Sequence, residues 1–151
     1  MKVFSRFLAI TIFLTMAISA CTSSNNESIG REYVLTTDLK DGNLIFLGVS
    51  DEINGIANPT LSAKPGETIT VTLINGGMGQ HDVTFPEMQA GTDVIDEKGE
   101  SASVTFIVPA THGEMEYFDS VGNHAELGMR GMLVVSETEQ SPVSSASSNG
   151  D

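Results

Sequence analysis

Tyr117-Phe118-Asp119-Ser120-Val121-Gly122-Asn123-His124-Ala125-Glu126-Leu127-Gly128-Met129-Arg130-Gly131-Met132-Leu133-Val134-Val135 is the stretch that decides the fold. It begins in a strand, crosses a loop containing two glycines, and ends in an apolar run of strand length. Met115, Tyr117 and Asp119 share one face at a period of two, which directs Asp119 inward at the end of the strand. A buried carboxylate is costly unless it is paired, hydrogen-bonded or bound to a cation. His124 and Met129 follow in the same loop.

The rest of the chain alternates in the same way. Ile69, Val71 and Leu73 interleave with Thr68, Thr70 and Thr72. Ala102, Val104, Phe106 and Val108 interleave with Ser101, Ser103 and Thr105. Such a pattern marks half-buried strands with a polar outer face. Residues 33–37, 44–49 and 131–135 are further strand candidates. Asp41-Gly42, Asn54-Gly55, Pro65-Gly66, Asn75-Gly76-Gly77 and Lys98-Gly99 punctuate them as turns. No long amphipathic helix and no repeat stands out. The expected fold class is all-β, a Greek-key β-sandwich.

Upstream, Asn58-Pro59-Thr60-Leu61, then Lys64-Pro65-Gly66-Glu67-Thr68, then Leu73-Ile74-Asn75, then His81-Asp82-Val83 follow in order. Together with the closing loop, this order resembles a cupredoxin, the blue-copper fold, over about residues 53–135. Among cupredoxins it is similar to the small domains allied to copper nitrite reductases. That family's closing loop runs aromatic, Cys, four residues, His, then a Gly-Met close to the last strand. Here every landmark stands except the Cys, and Asp119 occupies its place. The resemblance implies a copper site in which His81, Asp119 and His124 are ligands, with Met129 weakly axial or absent.

Blue-copper sites join two His and one Cys to a weak axial Met. A carboxylate is a hard oxygen donor. It implies Cu(II) over Cu(I), a pale site, and a lower potential than a thiolate gives. Two imidazoles and a carboxylate also suit zinc. Each residue has a plainer reading beside this one. His81 could be a surface histidine, His124 a loop histidine, and Met129 a gap-filling core residue. Asp119 could hydrogen-bond a histidine with no metal at all. His112 reads as solvent-exposed, Met78 as a loop methionine near the site, and Asp93, Asp96, Glu97 and Glu100 as a solvated face.

The ends read differently from the middle. Lys2 and Arg6 precede an apolar run that closes on Ile18-Ser19-Ala20-Cys21. A charged start, a short apolar core and a small-residue boundary make a secretory leader over residues 1–20. The run is shorter than the ~20 residues that span a bilayer. Its end resembles a bacterial lipobox, which implies cleavage before Cys21, lipidation of its thiol and a membrane-anchored protein at the cell envelope, facing the periplasm or exterior. Cys21 is the single cysteine of the chain, so the domain has no disulfide and no thiolate ligand. Residues 21–30 read as a flexible tether, 31–137 as the cupredoxin-like domain and 138–151 as a disordered tail.

With 20 acidic against 7 basic residues, the formal net charge is −13, and losing Lys2 and Arg6 with the leader makes it −15. That charge repels nucleic acid and attracts cations and basic partners. No phosphate loop, nucleophile–base motif or catalytic carboxylate pair is present. Three functions remain open at this point. The first is a copper-binding protein for copper delivery or slow electron transfer, with a redox or copper-trafficking protein as its partner. The second is a metal-free interaction module on the same fold. The third, a type 2 copper enzyme, needs an open coordination position that the sequence neither shows nor excludes.

Overall fold

A computed structural model describes residues 30–77 and 79–137. The expected leader, Cys21, the expected tether up to residue 29, the expected tail and Met78 lie outside the described residues. Among the described residues, nine strands form two packed sheets. The first holds β2 (Asn43–Gly48), β1 (Arg31–Lys40), β4 (Thr68–Ile74) and β7 (Ser101–Ile107), in that order. The second holds β3 (Leu61–Ala63), β9 (Arg130–Val135), β8 (Gly113–Phe118), β5 (Thr84–Phe85) and β6 (Ala90–Gly91). The 3₁₀ turns Asp51–Ile53 and Pro86–Met88 sit in the connections. The architecture is a Greek-key β-sandwich.

Local chemistry explains the elements. Asp41 and Gly42 both have positive φ, 52° and 83°, as a two-residue hairpin turn requires, and they join β1 to β2 antiparallel. In β4 the alternation is complete: Ile69, Val71 and Leu73 are buried. On its outer face, Thr70 and Thr72 meet Thr105 and Ser103 of β7 through hydroxyl pairs at 2.8 Å each. β7 is the sheet's edge, so of its inner-face residues Ala102 and Val104 are half-buried while Phe106 is buried. The sequence did not announce β3, β5 and β6. Strands of two or three residues carry no readable period.

The inner faces meet in one core. Tyr33, Leu35, Phe46, Ile69, Val71 and Leu73 of the first sheet pack against Leu61, Phe85, Tyr117 and Leu133 of the second. Tyr117 donates its hydroxyl to the Pro59 carbonyl at 2.6 Å. Opposite it in the β8–β9 ladder stands Gly131. A Cβ on Gly131 would lie 2.4 Å from the Tyr117 ring, so only glycine fits there. Tyr117 in turn sets the end of β8, the point from which the candidate site is built.

Candidate metal centre

Three segments converge at one end of the sandwich. The first is the connection from β4 to β5. Asn75, fully buried at the end of β4, accepts the Gly77 amide at 3.0 Å and donates to the carbonyls of Gly79 at 2.8 Å and Asp96 at 3.0 Å. Its side chain thus shapes the loop that leads to His81. Gly76 approaches β1 so closely that a Cβ would lie 2.3 Å from the Thr37 carbonyl oxygen. His81 then pairs with Ile95 through two backbone hydrogen bonds of 2.9 Å, which fix its direction. It is 3% exposed.

The second segment leaves β8. Asp119 lies one residue past the strand, on the same inner face as Met115 and Tyr117, and is 1% exposed. The third is the following loop. His124 donates its backbone N–H to Val121 O at 3.2 Å and accepts that of Met129 at 3.0 Å, while Met129 O accepts the Asp119 N–H at 3.1 Å. These bonds fold the loop back on its start, so His124 arrives beside Asp119. The Met129 side chain is fully buried and belongs to the apolar core cluster.

The polar groups converge on a single atom. Asp119 Oδ2 accepts His81 Nδ1 at 2.8 Å and His124 Nδ1 at 3.1 Å. Asp119 Oδ1 accepts the Val121 N–H at 2.9 Å. The two imidazole centroids are 4.9 Å apart, and potential donor atoms of all three side chains lie within 4.8 Å of one another. Burial alone would raise the Asp119 pKa. The His81 bond, the Val121 amide and His124 outweigh it and hold the carboxyl below its ordinary range. An ionised carboxylate only accepts hydrogen bonds, so both imidazoles carry their proton on Nδ1 in this arrangement.

Of the residues singled out in the sequence, His81, Asp119 and His124 come together. His112 is exposed and stands 3.9 Å from Glu137. Asp93, Asp96, Glu97 and Glu100 are exposed as expected. Sequence reasoning passed over Asp82. Its carboxylate is 6% exposed and accepts the Ser120 N–H at 2.6 Å, the Ser120 hydroxyl, and the Thr84 hydroxyl at 3.4 Å. The one available signal was an acidic residue between His81 and Val83 in an inward-facing stretch. Its partner is 38 residues away in the chain, beyond the reach of local pattern.

No protein-family model matches this chain, and no curated sequence is similar to it. Solved structures do match its shape. The multicopper oxidase McoA of Aquifex aeolicus superposes with a TM-score of 0.58 at 16% identity, over 71% of this chain. The chain spans 27% of that oxidase's length. The dithionite-reduced auracyanin of Roseiflexus castenholzii gives 0.53 at 18% identity, over 71% of this chain and 98% of its own. Auracyanin B gives 0.51 at 18% identity, over 70% of this chain and 88% of its own. The fold is that of a cupredoxin. Within this cupredoxin-like domain, no described residue is a cysteine, and the acceptor at the centre of the cluster is a carboxylate oxygen. Among the described residues, no helix is long and apolar enough to cross a membrane.

Proposed function

We propose that this protein binds one divalent copper ion through His81, His124 and Asp119, and serves copper binding and delivery or slow electron transfer at the cell envelope. The observation that carries the reading is the convergence of both Nδ1 atoms on Asp119 Oδ2, at 2.8 and 3.1 Å. Two ligands each about 2.0–2.2 Å from one ion and at right angles to each other lie about 2.8–3.1 Å apart. The donors are therefore spaced like adjacent ligands of an ion while still bonded to one another. Their positions at the end of a cupredoxin fold support the same reading.

The chain's own residues have three tasks. His81 and His124 would move the Nδ1 protons that now bind Asp119 to Nε2, and because only a neutral imidazole can offer Nδ1 to an ion, affinity falls as pH drops. Asp119 supplies the anionic donor, and burial keeps water from competing for it. Met129, whose side chain is buried in the core cluster, would add at most a weak thioether contact. Bound copper would supply a one-electron couple, and the hard oxygen donor favours its divalent state. Zinc is the competing ion, though the Irving–Williams order places copper above it. We place the protein in the envelope, tethered to the membrane through lipidated Cys21. Its partner would be a redox or copper-trafficking protein.

The test is a Cu(II) titration of chelator-treated protein, followed by optical and electron paramagnetic resonance spectra. One equivalent should bind with no intense blue or green band, and Asp119→Cys should produce strong colour. If His81→Ala and Asp119→Ala both leave Cu(II) affinity unchanged, the reading is wrong. A second reading has its own support. Among the described residues, no buried side-chain nitrogen or oxygen lacks a partner, so the site is satisfied without a cation. A metal-free interaction module on this fold would then bind no copper in the same titration.

A further inference from the structure

His81-Asp82 and Asp119-Ser120 form a reciprocal cross. The first residue of each pair bonds the other's first, and the second bonds the other's second. Asp119 Oδ2 accepts from His81, while Asp82 Oδ1 accepts from the Ser120 backbone at 2.6 Å. Asp82 Oδ2 takes the Ser120 and Thr84 hydroxyls. Both carboxylates are therefore buried acceptors with donors on each oxygen. Asp82 makes no hydrogen bond to either imidazole, and its oxygens are fully engaged by Ser120 and Thr84. It is a charge held beside the candidate ligands without being one of them.

We propose that Asp82 is a specificity-determining residue, a fixed second anion that biases the site toward divalent over monovalent cations. This rests on the metal-binding reading of His81, His124 and Asp119. The physical reason is the charge dependence of a Coulomb interaction. One fixed anion acts on a divalent ion with twice the free energy it exerts on a monovalent ion at the same place. Its contribution to log affinity is therefore twice as large for Cu(II) as for Cu(I). Asp82 and His81 are 6% and 3% exposed, so water screens that difference less than it would at the surface. A neutral hydrogen-bonding residue at position 82 would still accept the Ser120 N–H, more weakly, and exert no such bias.

Asp82→Asn separates charge from position. The amide oxygen still accepts the Ser120 N–H, and the Ser120 hydroxyl can rotate to accept from the amide nitrogen. Affinities for Cu(II) and Cu(I) are measured by competition with chelators selective for each oxidation state. Protection of the Ser120 amide in the metal-free variant, by hydrogen exchange, reports whether the cross persists. The expected result is a fall of about tenfold for Cu(II) and about threefold for Cu(I), with Ser120 still protected. Equal fold-changes for the two ions, or none, overturn the proposal. If Asp82→Asn does not fold, Asp82→Ser, smaller, neutral and able to accept, gives the same ratio test. Wild-type protein that binds neither ion would instead remove the metal reading itself, so the two failures are distinguishable.

Discussion

Replacing Asp119 with alanine should destabilise the metal-free protein as well as weaken copper binding. The side chain accepts three hydrogen bonds, from His81 Nδ1, His124 Nδ1 and the Val121 amide. A buried donor left without its acceptor costs about 1–3 kcal/mol. The His124 side chain is 20% exposed and can turn to water, which limits its loss. His81, at 3% exposure, and the Val121 amide bear most of the cost, although His81 recovers part of it by moving its proton to Nε2. The sum is about 2–4 kcal/mol, a large share of the ~5–15 kcal/mol that holds a domain folded. With a urea m-value of about 2 kcal/mol/M, the denaturation midpoint should fall by about 1–2 M. The assay is urea unfolding of chelator-treated protein, followed by far-ultraviolet circular dichroism and tyrosine fluorescence. A midpoint within about 0.3 M of the wild type would refute the reasoning and mean that the cluster contributes nothing to folding without metal.

Three further outcomes follow from particular residues. The depressed Asp119 pKa means that its share of stability is present above the unfolded carboxyl value, about pH 3.9, and is lost as pH falls through the lower folded value. Asp119→Asn should therefore flatten that part of the acid limb in an acid-unfolding profile of metal-free protein. Gly131→Ala should cost about 1–3 kcal/mol by overpacking, because the Tyr117 ring is buried and its hydroxyl is held by Pro59, and a thermal melt would read it as a lower Tm. Cys21→Ser should release the processed protein from membranes on fractionation. Full retention of the leader-processed variant in the membrane pellet would rule out the acyl anchor.

Much of the fold was legible because β-structure writes its faces into a period of two. Ile69, Val71 and Leu73 had to turn inward together, and the Asp-Gly, Asn-Gly and Pro-Gly steps had to turn the chain. Asp119 was legible as an inward carboxylate for the same reason, since it continues the face of Met115 and Tyr117. What alternation cannot encode is which strands become neighbours. The parallel pairing of β1 with β4 and of β3 with β9 joins segments distant in the chain, and no local pattern selects them.

The site divides along the same line. Residue types and spacing determined by themselves that an imidazole, a thioether and a carboxylate would share one loop, and that His81 would stand upstream of a strand. Only the tertiary structure decided that both Nδ1 atoms meet on one oxygen of Asp119, because that requires the β4–β5 connection to reach the end of β8 in a fixed register. It alone revealed Asp82 bound to Ser120, a contact between residues whose local sequences carry no sign of each other. Hydrogen bonds and charge act through space at distances of a few ångströms. A sequence states which groups are available, and packing of the two sheets sets which of them come within that range.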